Sequence, residues 1–433
     1  MSNLPAPWTS ESLSYSPDDR SLTRSNPAHA IARRLVLRSL EAIDHGLIHI
    51  VEGGERRCFG RPADGLKATI HIHHPMVYRR ILFGGNLGAS EGLMGGEWSC
   101  DDLVALCRIL IRCDQSHRAE NPWINRLLRP ATHLYHAFRR NTRHGSRRNI
   151  AAHYDLGNDF YRIFLDENMM YSSAIFPNPE STLEEASSFK LDRICQKLDL
   201  SAEDHVLEIG TGWGGFALHA AARYGCKVTT TTISQEQYDL ATERVAEARL
   251  SDQVTILLQD YRDLTGEYDK IVSIEMIEAV GAQYVPTFFQ RCAALLKPHG
   301  RMLLQGITIA EWAFARHLRS VDFIKRYIFP GSCLISVGSV AAAVGTTDLR
   351  LAHAEDIGLH YARTLREWRR RFLHRLSEVA ELGFDDRFVR MWDFYLAYCE
   401  AGFSERYTSN VQLVLARGTA REPDPLWDVQ PTS

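Results

Sequence analysis

The sequence predicts an α/β protein: a doubly wound, mostly parallel β-sheet with an antiparallel edge strand, preceded by a smaller α+β domain. Three observations indicate this fold. From about residue 183, short apolar runs alternate with amphipathic helices, which is typical of a parallel sheet covered on both faces. The first of these runs leads directly into a glycine-rich turn. The chain has 433 residues, of which 45% are hydrophobic, and this length is sufficient for two separate cores.

The residues before the main domain fall into three segments. Residues 1–28 are rich in Ser, Pro and Asp and are predicted to be an irregular tail. Residues 29–118 combine amphipathic helices with short alternating runs, which predicts the smaller α+β domain. Residues 119–148 are predicted to be a basic amphipathic linker, since no acidic residue occurs between Asn121 and Tyr154 and arginines alternate with apolar residues. Such a linker suits either an anionic bilayer surface or a neighbouring helix on which its apolar side packs.

The main domain is predicted at residues 149–420, followed by a second tail at residues 421–433. Strands are predicted at HVLEIG, KVTTTTIS, VTILLQDY, KIVSIEMI and RMLLQGIT, most of them separated by an amphipathic helix. The late segment SNVQLVLAR follows two long helices and is predicted to add the edge strand.

Composition and charge exclude several classes of protein. The net charge of −3 gives no polyelectrolyte character, so a nucleic-acid partner is not predicted. The nine cysteines are scattered without a CxxC pair or a Cys/His cluster, which predicts reduced thiols in a cytoplasm and no metal site. The N-terminus lacks the features of a secretory signal, and no stretch approaches the apolar length that spans a membrane. We therefore expect a cytoplasmic protein, soluble or peripherally associated with the inner face of the membrane.

The most specific local signal is EIGTGWGG, which runs from Glu208 to Gly215 between a predicted strand and a predicted helix. Alternate glycines let the backbone turn tightly and let a ligand approach the main chain beside the helix N-terminus. A glycine run alone is weak evidence. The acidic residue two places before the first glycine resembles the pattern of class I methyltransferases rather than that of dinucleotide-binding enzymes. This resemblance implies S-adenosylmethionine as the methyl donor.

Neighbouring strand ends are expected to contribute to the same site, because ligands of doubly wound sheets lie at the carboxyl ends of the strands. After the second strand, Ser234 and Gln237 are placed either to cap the next helix or to contact the ligand. After the third strand, Asp260, Tyr261 and Arg262 are placed to hydrogen-bond or cover an adenine.

Several further motifs occur in order along the main domain. They are HYDLGNDF from His153, YSSA from Tyr171, TISQEQ, LLQDYRDL, IVSIEMIEAVG, YIFPG and HYARTL. Together with EIGTGWGG, this series resembles the cyclopropane-fatty-acyl-phospholipid synthase family and its mycolic acid cyclopropane synthase relatives. The resemblance spans about Asn149 to Arg417, and the N-terminal domain is similar to the smaller, lipid-facing domain of that family.

The resemblance implies transfer of a methylene unit from S-adenosylmethionine to the cis double bond of phospholipid acyl chains, forming cyclopropane fatty acids. It also implies membrane phospholipids with unsaturated chains as partners, and a homodimer. A C-methyltransferase of acyl chains that gives a methyl-branched or methylene product remains open. A catalytically silent paralogue that binds lipid or S-adenosylmethionine has less support, and a small-molecule methyltransferase is disfavoured by the family motifs.

The base that removes the final proton in the family is a bound bicarbonate, held by a Cys, a Glu, a His, a Tyr and a backbone carbonyl. By motif matching, Glu278, Tyr361 and the carbonyl of Ile307 are retained. Ser173 stands in place of the cysteine and Gln305 in place of the histidine. Both side chains can donate hydrogen bonds to an oxyanion, so a bicarbonate site remains open. The same substitutions affect the proton-removal step, which determines whether a cyclopropane or a methylated alkene forms. The cyclopropane is favoured because it is the commoner product of the family.

Aromatic residues of these motifs are candidate walls for a cationic group, with ordinary core packing as the alternative. They are Tyr171, Tyr361 and Trp213. The complete set of predicted cofactor-binding residues is Tyr171, Ser172, Glu208, Gly210, Gly212, Gly214, Thr232, Ser234, Gln237, Asp260, Tyr261 and Arg262.

Overall fold

A computed structural model describes residues 27–62, 65–116 and 156–418. The basic linker predicted at residues 119–148 and most of both predicted tails lie outside the described residues. The chain divides into two compact units, one of Met1–Ala131 with Trp368–Glu405 and one of Thr132–Glu367 with Arg406–Ser433. The first unit thus includes the helical segment Trp368–Glu405, which lies within the main domain predicted at residues 149–420.

Helices and strands are numbered separately in sequence order. No helix within the described ranges is long and apolar enough to cross a membrane. The described α-helices are α1 (Pro27–Leu40), α2 (Met76–Met94), α3 (Leu103–Ser116), α4 (Asn158–Arg162), α5 (Leu183–Leu198), α6 (Gly215–Tyr224), α7 (Gln235–Glu247), α8 (Val285–Leu295), α9 (Glu311–Arg319), α10 (Val337–Val344), α11 (Gly358–His374), α12 (Leu376–Glu381) and α13 (Asp386–Ser404). The described strands are β1 (Gly46–Glu52), β2 (Glu55–Arg61), β3 (Lys67–Ile72), β4 (Trp98–Cys100), β5 (His205–Ile209), β6 (Lys227–Thr232), β7 (Val254–Leu258), β8 (Tyr268–Ile274), β9 (Leu296–Ile309), β10 (Leu349–Asp356) and β11 (Thr408–Arg417).

The first unit contains a small sheet in the order β2-β1-β3-β4. β1 pairs antiparallel with β2 and parallel with β3, and β4 closes the other side antiparallel to β3. Buried side chains such as Ile48, Ile50 and Trp98 form its core, to which α13 contributes Ala397. The mixture of helices and strands agrees with the predicted α+β character.

The second unit contains a seven-stranded sheet in the order β10-β11-β9-β8-β5-β6-β7. Strands β5 to β9 are parallel to one another, whereas β11 runs antiparallel to both β9 and β10. The predicted doubly wound sheet with an antiparallel edge is therefore confirmed. The edge differs in one detail. The segment SNVQLVLAR, predicted as the edge strand, forms β11, which lies between β9 and the outermost strand β10. β10 escaped prediction because most of its side chains are partly or fully exposed, so it lacks the apolar run of an inner strand.

Successive residues of the inner strands enter cores on opposite faces of this sheet. Leu207 and Ile271 pack into one core, together with α8 and α10. Their neighbours Val206 and Val272 pack into the other, together with α5 and α6. This period of two explains why the strands are apolar on both faces and appear in the sequence as continuous apolar runs.

The order of the strands fixes where a ligand site belongs. The chain passes from β5 outward to β6 and β7, and then returns to β8 on the other side of β5. The switch point therefore lies between the carboxyl ends of β5 and β8, where crevices of doubly wound sheets form. Gly210 follows β5 directly and Glu275 follows β8 directly, so both residues stand at that point.

Candidate active site

The glycine loop joins β5 to α6 with three residues in backbone conformations that favour glycine. Gly210, Gly212 and Gly214 have φ values of +105°, +52° and +85°. A Cβ atom added to Gly212 would meet no atom within 4 Å, so the main chain is open to a ligand there. A Cβ atom on Gly210 would press on Met276 of the loop after β8. The loop therefore leaves the main chain open to a ligand at Gly212, close to the N-terminus of α6.

Two buried ionisable groups lie behind this loop. Glu208 accepts a hydrogen bond of 2.6 Å from the Thr230 hydroxyl, and burial raises the pKa of Glu208 to about 8 against the opposing effects of Thr230 and Lys190. Lys190 is completely buried and donates to the Ser172 hydroxyl oxygen at 2.9 Å. Burial lowers the pKa of Lys190 to about 8, although nearby carboxylates, led by Glu275, oppose that change.

Lys190 was not predicted from the sequence, although a signal was present. It lies on the helix face that also carries Leu191 and Ile194, both of which are completely buried. A lysine on such a face needs a partner or a function. Its position predicts burial, whereas its contact with Ser172 depends on the tertiary fold.

The predicted residues after β6 are satisfied by one another. Ser234 caps α7 through its hydroxyl oxygen, which accepts from the Gln237 N–H at 3.4 Å. The Gln237 side-chain oxygen accepts from the Thr232 hydroxyl at 2.8 Å. The capping alternative therefore accounts for Ser234, and Thr232 holds the Gln237 side chain back against the strand end.

The predicted residues after β7 also form a local unit. Arg262 donates to Asp260 with its Nε at 2.8 Å and with its Nη2 at 2.6 Å. The Tyr261 ring packs edge-on against Phe288, with ring centroids 5.4 Å apart. This ion pair and this packing fix the Asp260–Arg262 turn at the carboxyl edge of the sheet.

The aromatic candidates Tyr171 and Trp213 belong to one cluster. The Tyr161 ring lies 5.2 Å from Tyr171 and 4.9 Å from Trp213, measured between centroids. Trp213 is 2% exposed and donates its indole N–H to Asn158 at 2.7 Å. Packing and this hydrogen bond account for Trp213, the weaker of the two candidates for a cation wall.

The YSSA segment is held to two other elements through its backbone. The Ser173 N–H donates to Glu275 Oε1 at 2.9 Å, and the Ala174 N–H donates to the Thr364 hydroxyl at 3.1 Å. The Ser173 hydroxyl donates to the Ala174 carbonyl at 3.0 Å. Ser173 therefore contacts the site through its main chain, and its hydroxyl is directed elsewhere.

Glu275 is the residue on which the predicted catalytic groups converge, although sequence reasoning did not single it out. Its Oε1 accepts hydrogen bonds from the Ser173 N–H at 2.9 Å, Gln305 Nε2 at 2.8 Å and Asn410 Nδ2 at 2.5 Å. Its Oε2 accepts from the Tyr361 hydroxyl at 2.8 Å. Ser173, Gln305 and Tyr361, which occupy positions of the family's bicarbonate ligands, thus bind a carboxylate that the protein itself supplies.

The backbone of Glu275 is in the left-handed region, with φ of +50°. This conformation costs a residue other than glycine on the order of 1 kcal/mol, and such strain is typical of functional sites. Burial raises the pKa of Glu275, while the donors Ser173, Gln305 and Tyr361 and the charge of Lys190 oppose the rise. The available sequence signal was a second carboxylate in EMIEAVG, directly after an apolar strand.

Glu278 differs from Glu275 in having far fewer donors. Its Oε1 accepts from the Ile307 N–H at 2.5 Å, and its buried Oε2 has no hydrogen-bond partner among the described residues. Burial, followed by repulsion from Glu275, raises the pKa of Glu278 to about 8. The contact that the structure shows for Ile307 is made by its N–H rather than by the predicted carbonyl. The four hydrogen-bond donors around Glu275 favour its carboxylate form, whereas Glu278, with a single donor, holds a proton at neutral pH.

Two neighbouring carboxyl groups in different protonation states can perform acid–base chemistry at one site. Here the donor-rich member, Glu275, stands at the switch point of the sheet, beside the glycine loop.

The fold and the glycine loop together define a class I methyltransferase that depends on S-adenosylmethionine. Within that class, the chain belongs to the mycolic acid cyclopropane synthetase family, whose model matches residues 141–413. The predicted fold, family and methyltransferase activity are confirmed.

Known proteins similar to this chain act on lipids. It is 40% identical to tuberculostearic acid methyltransferase of Mycobacterium tuberculosis over 90% of this chain and 91% of that protein. It is 36% identical to cyclopropane-fatty-acyl-phospholipid synthase of Escherichia coli over 81% of this chain and 88% of that protein. A solved mycolic acid cyclopropane synthase, complexed with SAH and CTAB, is 29% identical with a TM-score of 0.59, over 63% of this chain and 98% of that one.

Proposed function

We propose that this protein adds a one-carbon unit from S-adenosylmethionine to the cis double bond of phospholipid acyl chains and closes it to a cyclopropane, with the Glu275 carboxylate as the base. The observation that carries the proposal is the convergence of Ser173, Gln305 and Tyr361 on Glu275. The similarity to the cyclopropane synthase of Escherichia coli, over most of both proteins, supports the substrate and the product.

The residues around the glycine loop fit S-adenosylmethionine. Gly212 offers the open backbone, and Glu208 lies two residues before the first glycine of the loop. Ser172 accepts a hydrogen bond from Lys190, whose pKa the charge of Glu208 affects, and Tyr171 belongs to the same aromatic cluster as Trp213 of the loop. Thr232 and residues 260–262 would border the adenosine from the neighbouring strand ends. S-adenosylmethionine, when bound, supplies the methyl group.

Glu275 would act through Oε2. Three N–H donors occupy Oε1, whereas Oε2 contacts only the Tyr361 hydroxyl among the hydrogen-bond partners that the structure describes. Amide N–H groups cannot accept a proton, but a tyrosine hydroxyl oxygen can accept a hydrogen bond. Methyl transfer would leave a cation on the neighbouring alkene carbon. A proton of the newly added methyl group then goes to Oε2, and the C–H electron pair closes the three-membered ring onto that cationic carbon. The proton then leaves Glu275 for water, which regenerates the base.

The proposal assigns no role to bicarbonate. Three of its predicted ligands already bind Glu275, and a second carboxyl group, that of Glu278, is buried nearby. Adding an external anion beside Glu275 would place like charges together in a buried site, which is unfavourable. The residues present therefore fit a built-in carboxylate and do not fit a bound bicarbonate.

A second candidate is a methylated or methylene product at the same carbon. The relative that matches 90% of this chain is a tuberculostearic acid methyltransferase. Ser173 and Gln305 also replace family residues that take part in removing the final proton, the step that determines which product forms. Glu275 can take the final proton in either reaction. The geometry therefore supports Glu275 as the base more strongly than it supports a cyclopropane as the product.

The test is an incubation of the purified protein with S-adenosylmethionine and vesicles of cis-unsaturated phospholipid. Acyl chains are then analysed by mass spectrometry and NMR. We expect a gain of one CH₂ in each modified lipid tail, together with ring-proton signals. No gain in mass would contradict both lipid reactions, whereas a gain with olefinic or branched-methyl signals would favour the second candidate, because the products are isomers.

We further propose that the enzyme meets its lipid peripherally, at an anionic bilayer surface on the cytoplasmic side. The basic composition of residues 119–148 and the nature of the substrate support this. Co-flotation of the protein with vesicles that contain anionic lipid would test this binding. We expect the protein to float with the vesicles at low salt and to dissociate from them at high salt. The homodimer stays a prediction.

A further inference from the structure

A row of buried polar side chains connects Glu275 to an ion pair at the other end. Gln305 donates to Glu275, and the Gln305 Oε1 accepts from Gln412 Nε2 at 2.9 Å. The Gln412 Oε1 in turn accepts from the Lys197 ammonium at 2.6 Å. Gln305 and Gln412 are completely buried opposite each other on β9 and β11, and the Lys197 side chain is 1% exposed.

Lys197 determines the direction of every hydrogen bond in this row. An ammonium group only donates, so the Gln412 oxygen must face it. The Gln412 NH₂ then faces Gln305, so the Gln305 side-chain oxygen must accept its hydrogen bond. The Gln305 NH₂ is left to face Glu275, where it can donate to a carboxylate but cannot accept from a carboxylic acid. Reversing one amide would leave buried groups unsatisfied, which is unfavourable.

We propose that Lys197 and Gln412 are positioning residues: the ammonium orients Gln412, Gln412 orients Gln305, and Gln305 thereby presents its NH₂ to the Glu275 carboxylate. This inference rests on the proposed function of Glu275 as the base. It gives Lys197 a role at the active site although Gln412 and Gln305 stand between the two.

The ion pair at the outer end of the row favours the charged form of Lys197. Lys197 pairs with Glu355, which also accepts two hydrogen bonds from Arg193, at 2.7 Å and 2.9 Å. Burial lowers the pKa of Lys197, and this ion pair opposes the change. His353 lies near the same group, and burial lowers its pKa, so it adds no charge at neutral pH. The titratable groups around Glu275 include Lys190, Glu278 and Tyr361.

Two substitutions interrupt the row at different points. Lys197→Met removes the cation that orients Gln412. Gln412→Glu keeps an oxygen for Lys197 but has no hydrogen to donate to Gln305. In both variants we expect the acidic limb of kcat against pH to move upward by about one pH unit, because Glu275 loses an oriented donor and is protonated more readily. Lys197→Arg keeps a donor-only cation and should restore the wild-type limb.

Lys270→Met is the matched control. Lys270 donates to the carbonyls of Leu198 at 2.6 Å and Asp199 at 3.2 Å, so its loss weakens the fold without touching the row. Its acidic limb should stay at the wild-type pH. If Lys197→Met does not fold, Gln412→Glu carries the same test with the buried cation retained.

A second measurement is independent of turnover. The infrared carbonyl band of protonated Glu275, assigned by its absence in Glu275→Gln, is titrated against pH, and its midpoint should rise by the same ~1 unit in both variants. Unchanged midpoints and limbs, with kcat lowered equally at every pH, would overturn the inference. If the wild-type protein modifies no lipid while the midpoints move as expected, the proposed function fails and the positioning role stands.

Discussion

Replacing Glu275 by glutamine removes the proposed base while preserving nearly all of its contacts. Oε1 faces three groups that only donate, on Ser173, Gln305 and Asn410, so the amide oxygen of the variant must occupy that position. Its NH₂ then faces Tyr361, whose hydroxyl can accept instead of donating. Every described hydrogen bond of the site therefore has a counterpart in Glu275→Gln, and a buried charge is removed.

The expected magnitude follows from the loss of a general base. Such a base contributes about 10²–10⁴-fold to rate, which corresponds to roughly 3–5 kcal/mol of the barrier. We expect kcat of Glu275→Gln to fall by that factor, whereas the affinity for S-adenosylmethionine stays close to wild type because the glycine loop is untouched. The release of S-adenosylhomocysteine measures the rate, and calorimetric titration measures the affinity.

Glu278→Gln is the matched control for this experiment. Its amide oxygen can keep the 2.5 Å hydrogen bond from the Ile307 N–H, and at neutral pH it resembles the protonated form of Glu278. A smaller loss of rate is therefore expected. If Glu275→Gln keeps more than about a tenth of the wild-type rate, a loss of less than ~1.4 kcal/mol, while Glu278→Gln does not, the two roles are exchanged and the reasoning is refuted.

The remaining predictions concern pH, the glycine loop and the buried lysine. Because the pKa of Glu278 rises from 4.5 to about 8 on folding, its stabilising contribution is complete below pH 4.5 and is lost as pH rises towards 8. Glu278→Gln should therefore reduce the fall in Tm over that range, and an unchanged slope would contradict this. Gly212→Ala should weaken S-adenosylmethionine binding in titrations by about tenfold or more, whereas Gly53→Ala, with a similar φ of +57° and open space, should lose only stability. Lys190→Met removes the cation beside Glu275 and Asp166 and should lower the free energy of unfolding by about 3 kcal/mol at pH 7, measured by chemical denaturation; a loss below ~1 kcal/mol would contradict it.

Much of the fold was predictable because its signals are local. The apolar runs of β5 and β8 and the glycine loop occupy consecutive residues, and the switch point follows from strand order. β10 was not predictable in this way, since an outer strand with exposed side chains carries little apolar signal. The grouping of Trp368–Glu405 with the N-terminal sheet depends on contacts between segments far apart in the sequence.

The candidate site was only partly predictable for a related reason. Motif matching identified Ser173, Gln305 and Tyr361 correctly as neighbours, because the family motifs carry those positions. It related them to a bound anion, because the second carboxylate of EMIEAVG, Glu275, becomes recognisable as their shared partner only in the tertiary fold. Asn410 joins the same carboxylate from β11, and no sequence spacing relates it to the others. Convergence of distant segments is a property of the tertiary fold.

The identity of the neighbours explains why a protein carboxylate can serve as the base here. Gln305, Asn410 and the Ser173 N–H all donate and do not titrate at ordinary pH, so none of them competes with Glu275 for the proton. A histidine at position 305 would introduce a second acceptor with a pKa near neutrality. With an amide there, and Lys197 fixing its orientation through Gln412, Glu275 is the acceptor that we propose for the proton. Ser173 and Gln305 therefore fit the proposed built-in carboxylate, Ser173 through its main-chain N–H and Gln305 through its amide NH₂.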